Sequence, residues 1–149
     1  MSSHLTISQV HPIITPSDLD ENRPGQPQLP SLPAGWPSPA ENYVEDTLDL
    51  HKLAVKNPPA TFFLRVTGDS MIGAGIHNGD LLVVDRSRDP VSGKIVVANV
   101  DGELTIKRLV KRKARLYLSP ENPSFPEIDI TDREETSLWG VATYVLHKL

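Results

Sequence analysis

Ser70 is the residue whose neighbours point most directly to chemistry. It stands in the segment Gly68-Asp69-Ser70-Met71, where a glycine just before a serine allows the backbone to turn sharply at the end of a strand. Such a turn would lift the hydroxyl to the surface of a sheet, with the backbone N–H groups of Asp69 and Ser70 placed to stabilise an oxyanion. Taken alone, a glycine two residues before a serine is more often part of an ordinary turn at the end of a strand.

A nucleophilic serine needs a base, and three residues are candidates. His77 lies in a predicted turn and His51 on a predicted short helix, and either could approach Ser70 in space. Lys107 lies in a predicted strand, on the same face as Thr105. A lysine is a base only when neutral, and lowering its pKa from about 10.4 to about 7 takes roughly 4–5 kcal/mol of desolvation. Burial against a sheet can supply this, whereas an exposed strand lysine would stay charged.

The composition excludes several other kinds of site. The 149 residues include no cysteine, so disulfides, thiolate metal sites and a cysteine nucleophile are absent. The five histidines include no close pair at metal-ligand spacing, so we expect neither a structural zinc site nor a cofactor. The net charge of −4 argues against a protein that acts mainly by clamping DNA phosphates. No apolar run approaches the ~18 residues of a membrane helix, so we expect a cytoplasmic protein without membrane contact.

The pattern beyond residue 60 predicts a mainly β domain of curved antiparallel sheets. Asp49 is expected to cap a short helix over Leu50–Lys56, which Asn57-Pro58-Pro59 ends. Asn78-Gly79 and Asp101-Gly102 are turn signals, and the second predicts a hairpin. The predicted strands are Phe62–Val66, Leu81–Val84, Lys94–Val100, Glu103–Val110, Arg115–Leu118 and Leu138–Leu146.

The first part of the chain is rich in proline. Ten of the fourteen prolines lie in residues 1–60, and the stretch Pro24–Pro39 cannot form a helix. We therefore divide the chain into an extended N-terminal arm, residues 1–40, and a β-rich domain, residues 41–149. The arm is expected to be mobile or docked as a strand, and a plain linker is the alternative.

Several motifs together resemble the LexA/UmuD family of self-cleaving serine peptidases, and UmuD-type proteins most closely. The resemblance covers about residues 33 to 147, and it rests on a serine in Gly-Asp-Ser-Met, a Gly-Asp-apolar run and a strand lysine 37 residues after the serine. The matching stretches include Val66–Met71, Gly79–Asp85, Gly93–Ala98 and Asp101–Leu109.

The resemblance assigns roles to particular residues. It implies that Ser70 is the nucleophile and Lys107 its general base. It also implies self-cleavage between Ala34 and Gly35, a small residue followed by glycine in the proline-rich arm. Residues 1–33 are too short and too rich in proline for the DNA-binding domain of LexA-type repressors, which favours the UmuD branch.

The same resemblance implies a function and partners. The protein would be a cytoplasmic homodimer of the SOS response, cleaved when a RecA filament on single-stranded DNA promotes the reaction. The shortened form would join a UmuC-type polymerase in translesion synthesis. Two alternatives are a β-rich module that binds a polymerase or RecA without cleaving itself, and a signal-peptidase-like enzyme, which the missing membrane anchor disfavours.

A basic cluster follows the lysine strand. Its members are Lys107, Arg108, Lys111, Arg112, Lys113 and Arg115. A solvated hairpin end explains this cluster better than a nucleic-acid surface, because the net charge is acidic and no aromatic residues are interleaved. Direct DNA binding is therefore not expected to dominate.

Overall fold

The computed structural model describes residues 4–6, 31–37, 39–40 and 47–149 of the chain. The strands are β1 (His4–Thr6), β2 (Thr61–Thr67), β3 (Leu81–Asp85), β4 (Ile95–Val100), β5 (Glu103–Arg112), β6 (Arg115–Ser119), β7 (Ile128–Asp129) and β8 (Thr136–Leu146). One α-helix, α1 (Leu50–Ala54), and two short 3-10 turns (Pro58–Ala60 and Ile72–Ala74) complete the elements. Each of the six predicted strands is present, and the prediction of a mainly antiparallel β fold is confirmed.

Helix α1 begins where the sequence predicts and ends two residues earlier. The Asp49 carboxylate accepts hydrogen bonds from the backbone N–H groups of His51 (3.1 Å) and Lys52 (3.3 Å). This is the capping that a helix N-terminus requires, because its first N–H groups have no partner within the helix. The two prolines after Asn57 form a 3-10 turn that leads directly into β2.

The strands form one antiparallel sheet that closes on itself. The order is β1-β2-β3-β8-β4-β5-β6-β7, and β1 pairs additionally with β5. Six strands thus form a closed ring, with β6 and β7 extending from β5. Closure brings the end of β2 and the middle of β5 to opposite sides of β1, since His4 pairs with both Thr67 and Thr105.

The tight turns have the backbone that their residues favour. Asp101 and Gly102 both have positive φ (52° and 87°), as expected for the hairpin between β4 and β5. The hairpin fixes a register in which Val96 lies opposite Lys107 and Ala98 opposite Thr105.

Two clusters of buried apolar residues lie on the two faces of the central strands. One contains Leu64, Val66, Met71, Ile76, Leu82, Val84, Val97 and Ile106. The other contains Val96, Ala98, Leu109, Leu118, Ile130 and Val141. Because neighbouring residues of a strand point to opposite faces, β4 and β5 contribute to both clusters. The middle of β5 is therefore buried on both faces.

Two strands were missed at the level of the sequence. β7 has only two residues, which is too short for any periodicity to show. β1 has three residues, of mixed polarity, and its pairing partners lie about sixty and a hundred residues away along the chain. Docking of part of the arm as a strand was one of two possibilities considered, and the boundary at residue 40 stays a prediction.

Candidate active site

The backbone turns sharply where β2 ends, as predicted. Gly68 has a φ of +89°, a region that favours glycine. Its N–H donates to the side-chain oxygen of Asn78 (3.0 Å), which ties the end of β2 to the turn before β3. Ser70 follows, but its side chain is fully buried. The sequence predicts the hydroxyl on the surface of a sheet, and Ser70 Oγ does lie beside Lys107 of β5, although it is closed off from solvent. The neighbouring Met71 is part of the core.

The segment that connects β6 to β7 holds the Ser70 turn in place. The backbone N–H of Glu121 donates to the Ser70 carbonyl (2.8 Å), and the Glu121 carbonyl accepts from the N–H of Gly73 (2.8 Å). The Asn122 side-chain amide donates to the Asp69 carbonyl (3.0 Å). We call these three hydrogen bonds the Ser70 clamp. No sequence pattern predicts them, since the bonded groups are some fifty residues apart along the chain and mostly belong to the backbone.

Lys107 lies directly beside Ser70. Its side chain is about 1% exposed, and it is the largest fully buried side chain among the described residues. The Nζ atom donates to Ser70 Oγ at 3.0 Å, to Thr105 Oγ1 at 3.0 Å and to the Ile106 carbonyl at 3.1 Å. The strand alternation that put Thr105 and Lys107 on one face is confirmed by this contact.

Burial lowers the pKa of the Lys107 amine from its ordinary value to about 8. The cause is desolvation, which penalises the ammonium form. Besides Thr105, Lys107 shares its face of the sheet with Val96, Ala98 and Leu109, which are all apolar and buried. An exposed strand lysine is thus excluded, and the pKa falls most of the way from its ordinary value toward the value of about 7 that would suit a base at neutral pH.

The three contacts of Nζ suit a neutral amine as well as an ammonium ion. A neutral amine has two N–H donors and one lone pair. Its N–H groups can donate to Thr105 Oγ1 and the Ile106 carbonyl, which leaves the lone pair to accept from the Ser70 hydroxyl. The arrangement can therefore move a proton from Ser70 to Lys107 without any rearrangement of the side chains.

The structure shows neither of the two histidines considered as bases bonded to Ser70, and their surroundings differ. His77 Nδ1 lies 3.8 Å from Asp80 Oδ2, and its ring lies 4.8 Å from the ring of His147. His51 lies on α1, and its Nε2 atom is buried without a hydrogen bond. Of the three candidates, Lys107 is the one that the structure shows bonded to Ser70 Oγ.

The predicted cleavage site is exposed, whereas this pair is buried. Ala34, Gly35 and Trp36 form a bend, and all three are exposed. A side chain added at Gly35 would meet no atom within 4 Å. The expectation that the arm runs extended here, close against a sheet edge, is wrong for this arrangement, in which the Ala34–Gly35 bond is in open space and Ser70 is buried.

A different segment of the arm lies next to the Ser70–Lys107 pair. β1 pairs with β2 through His4–Thr67, and His4 also lies opposite Thr105. Thr67 precedes Ser70 by three residues, and Thr105 is a hydrogen-bond partner of Lys107. The backbone edges of β2 and β5 beside the pair are therefore covered by residues 4–6.

The arginines of the basic cluster are paired with acids. Arg108 forms an ion pair with Glu121, and Arg112 with Glu127. Arg115 is 2.7 Å from the Asp129 carboxylate. Lys107 is buried and contributes nothing to the surface. These pairs fit the interpretation of a solvated hairpin end and remove much of the positive charge that phosphate binding would need.

Comparison with known proteins identifies the family. The Peptidase S24-like family matches residues 27–143. This chain belongs to that family. It is 48% identical to the protein SamA of Salmonella typhimurium over 116 residues, which cover 78% of this chain and 80% of SamA. It is 50% identical to the protein ImpA of Escherichia coli over 115 residues, covering 77% and 78%.

A third relative supports the same branch of the family. The protein MucA of Escherichia coli is 48% identical over 119 residues, which cover 79% of this chain and 81% of MucA. The resemblance to UmuD-type members of the LexA/UmuD family is thus confirmed. Family membership makes this chain a serine peptidase of the self-cleaving kind, and its UmuD-like relatives make it an SOS mutagenesis protein.

No helix among the described residues is long and apolar enough to cross a membrane.

Proposed function

We propose that this Peptidase S24-like protein cleaves itself between Ala34 and Gly35, with Ser70 as nucleophile and Lys107 as general base. The observation that carries the proposal is the buried Lys107 amine, with its lowered pKa, 3.0 Å from Ser70 Oγ. Burial of a lysine with a lowered pKa costs desolvation free energy. A catalytic role for the amine would account for a lysine at such a position.

The reaction proceeds in two balanced halves. Neutral Lys107 takes the Ser70 proton while Oγ attacks the Ala34 carbonyl carbon, and the lysine then protonates the leaving Gly35 nitrogen as the peptide bond breaks. Water, deprotonated by the same amine, next attacks the Ala34 ester and restores the serine hydroxyl. The backbone N–H groups of Asp69 and Ser70 are the proposed donors to the oxyanion of both tetrahedral intermediates.

Cleavage requires the arm to move. Ala34–Gly35 is exposed and Ser70 is buried, so the reactive arrangement differs from the one described above. A small side chain followed by glycine can lie close to a sheet edge and pair with it as an added strand. Because the arm is tethered, its effective concentration at the site is high once an edge is free.

We assign the RecA filament on single-stranded DNA the role of shifting this equilibrium. A partner that binds the arm-docked form more tightly than the resting form raises its population without taking part in the chemistry. The product, residues 35–149, would then act with a UmuC-type polymerase in translesion synthesis. We further propose a cytoplasmic homodimer, without direct DNA binding as its main activity and without a membrane partner.

Mass spectrometry of the purified protein tests the cleavage. With activated RecA we expect two products, residues 1–34 and residues 35–149. A product that begins at another residue contradicts the Ala34–Gly35 assignment. Sedimentation of the intact and shortened forms tests the dimer, and a monomer at micromolar concentration contradicts it.

Ser70→Ala separates a self-cleaving enzyme from a non-catalytic interaction module. We expect no product from Ser70→Ala in the presence of activated RecA. The matched control is Ser124→Ala, which removes an exposed hydroxyl from the β6–β7 connection and should cleave at the normal rate. If Ser70→Ala and Ser124→Ala behave alike, the module that only binds RecA or a polymerase is the better description.

A further inference from the structure

His77, Asp80 and His147 form a cluster that the proposed cleavage does not use. One ligand atom from each lies within 4.8 Å of the other two. The spacing of the histidines along the chain gave no sign of this cluster, because His77 and His147 are seventy residues apart.

Strand pairing explains why the three residues meet. Leu81, the first residue of β3, pairs with Leu146, the last residue of β8. In an antiparallel pair, the residue before one partner faces the residue after the other. Asp80 and His147 are therefore neighbours by register, and the turn before β3 places His77 against the same carboxylate.

The carboxylate at the centre is held rigidly. Asp80 is only 3% exposed, and its Oδ2 atom accepts from the His77 backbone N–H at 2.8 Å. Its backbone carbonyl accepts from the Val66 N–H (2.9 Å), and the Gly79 N–H donates to the Val66 carbonyl (2.7 Å). The two imidazoles lie at the surface with 46% and 44% of their side chains exposed, so they can adjust.

The separations within the cluster lie on either side of the spacing that the ligands of one metal ion need. His147 Nδ1 is 2.6 Å from Asp80 Oδ1, and His77 Nδ1 is 3.8 Å from Asp80 Oδ2. A tetrahedral zinc ion with bonds of roughly 2.0–2.2 Å needs ligand atoms a little more than 3 Å apart. Small movements of the exposed imidazoles would give this spacing, with the ion replacing the hydrogen bond between His147 Nδ1 and Asp80 Oδ1.

We propose that His77, Asp80 and His147 bind one divalent transition-metal ion of the zinc class. Two imidazoles and one carboxylate suit Zn²⁺ rather than Mg²⁺ or Ca²⁺, which prefer oxygen ligands. A water molecule would complete the tetrahedron. The Arg65 guanidinium, which donates to the Gly79 carbonyl (2.7 Å), opposes a cation here and limits the affinity.

Bound metal would link the end of β8 to the turn before β3. That turn also carries Asn78, whose side chain accepts from the N–H of Gly68 beside the nucleophile. The metal would therefore stabilise the fold next to the Ser70 turn, by raising the free energy of unfolding according to its affinity. This role is separate from the chemistry proposed for Ser70 and Lys107.

Titration of the Ser70→Ala protein tests the site independently of self-cleavage. We expect Zn²⁺ to bind with one-to-one stoichiometry in calorimetry and to raise the Tm, and Co²⁺ to give a visible absorption that Zn²⁺ abolishes. In the same background, His77→Gln and His147→Gln should each weaken binding at least tenfold. His51→Gln, which removes a histidine from α1, should leave the affinity unchanged.

Nuclear magnetic resonance of the histidine rings gives a second readout that needs no ligand variant. We expect Co²⁺ to shift the signals of His77 and His147 before those of the other three histidines. The proposal is overturned if Zn²⁺ does not bind with one-to-one stoichiometry, or if both His77→Gln and His147→Gln bind it as tightly as the protein without these substitutions. A hydrogen bond between His147 and Asp80 that fastens the chain end without metal is then the role of the cluster.

Discussion

At the scale of single residues, the defining feature is the buried side-chain amine of Lys107. Lys107 has its three acceptors in fixed positions and a pKa of about 8. At neutral pH the charged form therefore predominates, but the neutral form is accessible at little cost. As the proposed general base, such an amine would support a slow reaction that a partner or a change of conformation can accelerate.

The rate of self-cleavage without RecA should rise with pH. If neutral Lys107 is the base, the active fraction increases about tenfold between pH 7 and pH 9 and changes little above that. Product formation over this range, measured by gel densitometry, checks the profile, with circular dichroism to show that the fold persists. A rate that is flat from pH 7 to pH 9 in folded protein would rule out Lys107 as the titrating base.

Removal of the buried amine should stabilise the fold. The folded pKa lies below the unfolded one, so between about pH 8 and 10.5 the unfolded chain binds more protons and stability rises with pH. Below pH 8 the full cost of burial, up to about 3 kcal/mol, is present. In a Ser70→Ala background, Lys107→Met should therefore raise the free energy of unfolding at pH 7, and this gain should shrink toward pH 10.5.

Urea denaturation at pH 7 and pH 10 measures this difference. Lys94→Met in the same background is the control, because Lys94 is exposed and its replacement should give no comparable pH-dependent gain. An equal effect of Lys107→Met at both values of pH would contradict the desolvation argument.

At the scale of elements, the position of Ser70 depends on the connection between β6 and β7, which carries neither of the two proposed catalytic residues. Glu121 and Asn122 bond to the carbonyls of Ser70 and Asp69, and Gly73 donates to Glu121. A Cβ atom at Gly73 would lie 2.6 Å from the Glu121 carbonyl oxygen, which is closer than packed atoms allow. This glycine is required because two backbone segments approach each other here.

Gly73→Ala should displace the clamp and slow self-cleavage by tenfold or more. Overpacking of this kind costs roughly 1–3 kcal/mol, so the Tm should fall while the sheet persists. Asn122→Ala removes one hydrogen bond without a clash and should have a smaller effect on the rate. Cleavage by Gly73→Ala at the normal rate would show that the clamp does not position Ser70.

The position of β1 leads to a prediction about the arm. Residues 4–6 cover the edges of β2 and β5 beside the Ser70–Lys107 pair, and a scissile segment that docks as a strand needs such an edge. Deletion of residues 1–8 should therefore raise the rate of self-cleavage without RecA several-fold. Deletion of residues 14–21 shortens the arm by the same number of residues but spares β1, so it should not raise the rate of self-cleavage. Equal rates for the two deletions would contradict the idea that β1 and the scissile segment compete for the same strand edge.

At the scale of the whole molecule, local sequence patterns predict most strands, but they do not predict contacts between residues that are distant along the chain. From β2 to β8, every strand except β7 is predicted, because each shows alternation or a continuous apolar run bounded by turn residues, as at Asp101-Gly102. The pairing of Lys107 with Ser70 was predicted from the family resemblance. Alternation along a strand predicts which face Lys107 lies on, but not which distant residue it meets there. Contacts set by long-range register, such as Asp80 with His147 and Glu121 with Ser70, depend on closure of the sheet and leave no local pattern.

The closure of the sheet by β1 determines what the proposed cleavage would do to the sheet. Every residue of β1 lies on the N-terminal side of the Ala34–Gly35 bond. While the chain is intact, the return of β1 to the sheet is unimolecular. If the proposed cleavage occurs, β1 belongs to a separate peptide of 34 residues, which is held by pairings over three residues and can diffuse away. Departure of that peptide would leave two backbone edges with vacant hydrogen-bonding groups, open to a strand from another protein.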